Sequence, residues 1–141
     1  DLASHQFDFL DFLLGPISEA SGYNARQTGW YPAEDIVSAQ FRFQNGILGT
    51  GLWCFSMKKS QAQDISEIIG NNGKISFSFF DTTPIELLAN SKIRKFETEA
   101  PEHVQQPLIE TVVDALLNSK DCPSTGISAA RTTYVLDAVL R

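Results

Sequence analysis

The chain has 141 residues, enough for one domain with its own core. Hydrophobic residues make up 43% and charged residues 20%, a globular composition, and no apolar run nears the ~20 residues of a membrane span. The net charge of −6, with no basic run beyond Lys58-Lys59 and Lys92 with Arg94-Lys95, excludes sequence-independent nucleic-acid binding, which sets cations against phosphates.

Leu2, Ala3, Phe7, Phe9, Leu10, Leu13 and Leu14 fill one arc at ~100° per residue and predict a helix over residues 2–14, stopped by Gly15-Pro16. Residues 17–27 read as extended and 28–33 as a loop. From residue 35 the period changes to two: Val37, Ala39, Phe41 and Phe43 alternate with Ser38, Gln40 and Arg42. Asn45-Gly46 then signals a hairpin, with positive φ expected at both positions of a type I′ turn. In the returning strand, 47–56, Gly49 and Gly51 mark a bulge or a close approach. A second hairpin covers 64–70 and 74–80 around Asn71-Asn72-Gly73, and two short strands, 85–89 and 93–98, flank Asn90-Ser91. After Pro101 the helical period returns around Pro107, Leu108, Val112, Ala115 and Leu116. A polar loop, 118–126, precedes a last helix, 127–141, with Ala130, Tyr134, Val135, Ala138 and Val139 expected toward the core. The order predicts an α+β fold: an open, predominantly antiparallel sheet of about six strands with helices packed on one face. The chain starts and stops inside helical patterns, so it is expected to be a piece of a longer protein. Cys54 and Cys122, far apart, read as free thiols of a reducing, cytoplasmic compartment.

The first helix carries the chemistry. Asp1, Ser4, His5, Asp8 and Asp11 take its polar half, interrupted only by Phe12. Asp1, His5 and Asp8 fall within roughly 60° of one another and can meet as i, i+3 and i+4 neighbours do. An imidazole moves protons near neutral pH, and a carboxylate one turn away holds its tautomer, as a general base for a substrate hydroxyl requires. The same side-chain types ligate Zn²⁺ or Fe²⁺. The plain alternative is solvated surface, because acidic residues gather at helix starts for the sake of the dipole. Spacing alone leaves both open. The remaining candidates are weaker. His103 reads as surface. Gly70-Asn71-Asn72-Gly73-Lys74 lacks the spacing and the following helix of a phosphate loop. Trp30-Tyr31 either stacks on a sugar ring or covers the core.

The whole pattern resembles the C-terminal domain of the Gfo/Idh/MocA oxidoreductases, the glucose–fructose oxidoreductase and inositol dehydrogenase family, which is also like the C-terminal domain of glyceraldehyde-phosphate dehydrogenase. The matching features are D-x-x-x-H-x-x-D at Asp1, His5 and Asp8 followed by Leu13-Leu14-Gly15, and the pair Glu34-Asp35 before a strand running to Phe43-Gln44-Asn45-Gly46. A third is the hairpin Ile68-Ile69-Gly70-Asn71-Asn72-Gly73-Lys74-Ile75. The resemblance implies that residues 1–141 form one substrate-binding and oligomerisation domain. His5 would be the acid/base and Asp1 its partner, and Asp8 would orient the helix or touch substrate hydroxyls. The parent would be an NAD(P)-dependent oxidoreductase acting on a sugar, polyol or cyclitol. It also implies a homo-oligomer through the open sheet face, which would use one of the alternating sets Trp53/Phe55 and Leu52/Cys54.

One departure matters: no glycine-rich βαβ unit is present. NAD(P) is therefore expected on an N-terminal Rossmann domain outside this sequence, with no cofactor or metal held here and no activity from this chain alone. The alternatives are a relative that uses NAD transiently in glycoside cleavage, and a non-catalytic binding or scaffold domain of the same fold.

Overall fold

The computed structural model describes residues 2–141; Asp1, one of the expected site residues, lies outside the described residues. The chain divides into two compact units, one formed by the residues up to Lys58 together with Ser119–Arg141, the other by Lys59–Asn118. In the first are α1 (Leu2–Leu14), β1 (Ile17–Ala25), β2 (Ile36–Phe43), β3 (Leu48–Cys54) and α3 (Gly126–Leu140). In the second are β4 (Ser66–Gly70), β5 (Gly73–Phe77), β6 (Ile85–Ala89), β7 (Lys92–Phe96) and α2 (Gln106–Asn118). The fold is α+β, and every strand pairing is antiparallel. Among the described residues, seven strands, in sheets ordered β1-β2-β3 and β4-β5-β6-β7, stand where the alternation predicts about six in one sheet.

In the first unit the core lies between the inner face of the β1-β2-β3 sheet and helices α1 and α3. Phe41, Phe43 and Ala39 of β2 point inward, and Phe7 of α1 stands edge-on to Phe41 at 5.2 Å and tilted to Trp53 at 5.5 Å. Phe7 is 1% exposed, and burying such a side chain is worth about 1.5–3 kcal/mol. A β-bulge at Ile17/Glu19 inserts one residue into β1, which brings Ile17 onto the same inner face as Ala20 and Gly22. Opposite Phe41 is Gly49, where an added Cβ would fall 2.2 Å from the Phe41 ring, and at Gly51 a Cβ would fall 2.3 Å from the Trp53 ring. The β2–β3 register is unbroken, so of the two meanings these glycines allow, close approach is the one realised. Gly22 serves α3 in the same way, its Cα lying against Val139.

The β2–β3 hairpin forms where Asn45-Gly46 predicts it, with a different turn. Only Gly46 has positive φ, +88°, while Gly46 N donates to Phe43 O and Phe43 N to Ile47 O, both at 2.9 Å. This is a three-residue loop ending in a left-handed glycine, because the Asn45 side chain is otherwise engaged: it donates to Leu14 O at 2.8 Å. The two successive positive φ values of a type I′ turn occur instead at Asn90 and Ser91, 51° and 58°, between β6 and β7.

In the second unit Ile68, Phe77, Ile85 and Leu87 share one face of the sheet, while Glu67 pairs with Lys74 and Glu86 with Lys95 on the other. Pro107 sits in the first turn of α2. Among the described residues, no helix is long and apolar enough to cross a membrane.

Candidate functional site

Helix α1 presents His5 exposed and Asp8 half-buried, and both line a cavity of about 430 Å³. Across it stand Arg131 and Ser128 of α3 and Ser124 from the loop before that helix. Thr125 caps α3 in a reciprocal capping box with Ser128, which fixes the start of the helix. The core stripe of α3 is Thr132, Val135 and Val139; Ala130 and Tyr134, both expected inward, are exposed, Tyr134 at 68%. This stripe places Thr132 in a polar seam between α3 and α1.

That seam consists of two contacts. The Thr132 hydroxyl donates to Asp8 Oδ1 at 3.2 Å. Arg131 donates through Nε to both oxygens of Asp11, at 3.1 and 3.2 Å, and through Nη2 to Oδ2 at 2.6 Å. Asp11, on the polar half by its position on the wheel, is 7% exposed. Its carboxylate, helped by Asp8, raises the pKa of Arg131 above the ordinary arginine value, so the guanidinium stays charged at any working pH. On the other flank of α1, Trp53 Nε1 donates to Gln6 Oε1 at 2.5 Å.

A second cavity, of about 340 Å³, opens beside the N-terminal half of α1, walled by Tyr31, Glu34, Trp53 and Phe55 over Phe7 and Val139. The loop that carries Tyr31 is anchored by Asp35, which is 1% exposed. Its carboxylate accepts from Gln27 N and Thr28 N at 2.7 Å and from Thr28 Oγ1 at 2.5 Å. These bonds, the Thr28 hydroxyl foremost, hold its pKa below the usual carboxylate value. Asp35 is thus a loop clamp and Glu34 faces the cavity.

Of the predicted site residues, His5 and Asp8 are brought together on one cavity wall, and Asp1 is outside the described residues. Among the described residues no three His, Cys, Asp or Glu side chains are grouped as a metal set. Asp11, Arg131 and Thr132 were not singled out by spacing as a group. The available signal was Arg131 itself, which with Asp137 is one of two charged residues in α3.

The fold and this polar seam define an α+β domain that presents a His–Asp helix face from beneath a second, ion-paired helix. Residues 1–76, over half of the chain, match the GFO/IDH/MocA C-terminal domain, and the chain belongs to that family. Oxidoreductase P35 of Formosa agariphila is 32% identical over 137 residues, 97% of this chain and 41% of that protein, so the chain spans well under half of that relative. Three solved structures share the fold at low identity. UDP-N-acetylglucosamine 3-dehydrogenase GnnA of Acidithiobacillus ferrooxidans superimposes with a TM-score of 0.84 at 13% identity, over 99% of this chain and 44% of its own. An Agrobacterium radiobacter oxidoreductase, solved with NAD+, L-tartaric acid and magnesium, gives 0.82 at 17%, over 99% and 44%. The WlbA dehydrogenase of Bordetella pertussis, solved with NADH and UDP-GlcNAcA, gives 0.71 at 22%, over 99% and 40%.

Proposed function

We propose that this domain is the substrate-binding and oligomerisation part of an NAD(P)-dependent oxidoreductase that acts on a hydroxyl of a sugar, polyol or cyclitol. The carrying observation is the placement of His5, exposed beside Asp8 on the wall of the cavity between α1 and α3. His5 is the acid/base that accepts the hydroxyl proton, Asp1 is its partner, and Asp8 meets substrate hydroxyls while held by Thr132. The family and the oxidoreductases it resembles support the reading. NAD(P), when bound in the parent, supplies the hydride acceptor. Cofactor binding falls mainly to an N-terminal Rossmann domain of the parent, and the isolated chain is silent. The strands of the described residues pair antiparallel, unlike the parallel strand–helix–strand unit of a dinucleotide-binding fold, which supports this division of labour. The outer face of the first sheet, with Leu48 and Leu52 about 70% exposed (71% and 69%), is the homo-oligomer surface. The free thiols Cys54 and Cys122 support a cytoplasmic setting.

The test is turnover of the full-length parent on a panel of sugars, polyols and cyclitols, read as net NAD(P)H formation. His5→Ala is expected to lower kcat by about 10²–10⁴-fold. Unchanged turnover in that variant overturns the acid/base assignment. Substrate cleavage without net NAD(P)H overturns the dehydrogenase reading in favour of transient cofactor use.

A further inference from the structure

Besides the Asn45 bond to Leu14 O at its C-terminal end, helix α1 is gripped through its own polar side chains at Gln6, Asp8 and Asp11. Trp53 of β3 grips Gln6, Thr132 of α3 grips Asp8, and Arg131 of α3 grips Asp11. At ~100° per residue, Gln6 and Asp8 lie on nearly opposite flanks of the helix, and His5 projects between them, ~60° from Asp8 and ~100° from Gln6. Turning α1 about its axis in one direction stretches the Trp53–Gln6 bond. Turning it in the other stretches Thr132–Asp8 and the two-nitrogen clamp on Asp11. Phe7, between Phe41 and Trp53, is the buried pivot.

We infer that Trp53, Thr132 and Arg131 are positioning residues that fix the rotation of α1 and thereby the direction of the His5 ring. This rests on the acid/base reading of His5. The magnitude is sufficient: a side chain ~6 Å from the helix axis moves ~1 Å for a ~10° rotation. A misplacement of ~1 Å at a reacting group costs on the order of 10²-fold in rate. The three grips are polar and directional, which sets rotation; the apolar contacts of Phe7, with Ala3, Leu10 and Leu14, set depth. Arg131 and Thr132 are adjacent in sequence yet reach carboxylates one turn apart on α1, so one turn of α3 reads two turns of α1.

The experiment uses the full-length protein with Trp53→Phe, Thr132→Val and Arg131→Lys, and Thr132→Ser as the conservative control that keeps the hydroxyl. Trp53→Phe and Thr132→Val are expected to lower kcat about tenfold or more with KM changed by less than about threefold, at an assay temperature where circular dichroism shows each variant folded. Thr132→Ser is expected to restore kcat, and Arg131→Lys, which keeps the charge but loses the fork, to fall between. Wild-type kcat in all the variants, with His5→Ala inactive, overturns the positioning role and leaves the acid/base reading standing. Where His5→Ala itself retains turnover, the acid/base reading fails and the positioning role is decided on the full-length protein by NMR. There, Thr132→Val and Trp53→Phe are expected to shift the His5 ring resonances and its χ1 populations. Unchanged values overturn it.

Discussion

Arg131 lays its guanidinium along the carboxylate of Asp11, 120 residues earlier in the chain, and the two groups differ in their access to water. The Asp11 side chain is 7% exposed and that of Arg131 42%. This asymmetry predicts unequal mutants. Arg131→Met strands a buried carboxylate, whereas Asp11→Asn leaves a guanidinium that reaches solvent. Thermal melts of the domain should show a drop of several degrees for Arg131→Met and a smaller one for Asp11→Asn. The double variant Asp11→Leu/Arg131→Met should melt above Arg131→Met, because no unpaired charge remains. Equal losses in the two single variants would refute the asymmetry.

Gly49 offers a test of packing in the sheet. The position an added Cβ would take is already filled by the edge of the Phe41 ring, itself 7% exposed against Phe7 and Phe43. The ring has nowhere to retreat, so Gly49→Ala should destabilise the domain by about 1–3 kcal/mol through overpacking. Chemical denaturation measures it. Adding Phe41→Leu, which opens space at the ring edge, should make the glycine substitution cheaper than it is in the wild type.

Elements set by local pattern were legible in the sequence: α1, β6 and the Pro107 helix follow from period and punctuation alone. What was not legible arose from contacts distant in sequence. The wheel put Asp11 in water because nothing near it announces Arg131. Helical spacing puts Tyr134 inward with Ala130 and Ala138, but the buried stripe of α3 runs through Thr132, which donates to Asp8. Likewise Asn45-Gly46 gives the hairpin by local preference, while its turn type is decided by Asn45 reaching back to Leu14. His5 and Asp8 were legible as a pair because both belong to one helix. Their relation to α3 was not, and neither was the choice between Trp53 and Leu52 for the inner face. The register answers the latter: Trp53 pairs with Val37 and goes in, Leu52 with Ser38 and goes out.

The outward side of that register supplies a third prediction. Leu52 and Leu48 stand exposed on the outer face of β3, away from Phe7 and the core. Leu52→Lys should therefore leave the melting temperature of the isolated domain within a degree or two, as surface changes do. In the full-length parent it should dissociate the proposed homo-oligomer, read by size-exclusion chromatography with light scattering. An unaltered oligomer would remove this face from the interface.

Acid sensitivity should trace to Asp35. Its three accepted hydrogen bonds favour the charged carboxylate, so its pKa in the folded chain lies below the ordinary value of 3.8 it regains on unfolding. The folded state therefore binds this proton less readily than the unfolded state. The resulting stabilisation is fully present above about pH 4–5 and is lost as pH falls through the folded-state pKa. Asp35→Asn places an NH₂ where one of the carboxylate oxygens accepts two bonds from Thr28 or one from Gln27, so it removes an acceptor and sets donor against donor. At pH 7 its melting temperature should lie several degrees below wild type, and the gap should close as the pH is lowered below 3.8. Thr28→Val, which deletes the largest of the three contributions, should shift the wild-type acid transition upward in pH while leaving its shape intact. A gap that stays constant from pH 7 to pH 3 would show that the clamp acts through loop geometry alone and that the charge of Asp35 contributes nothing.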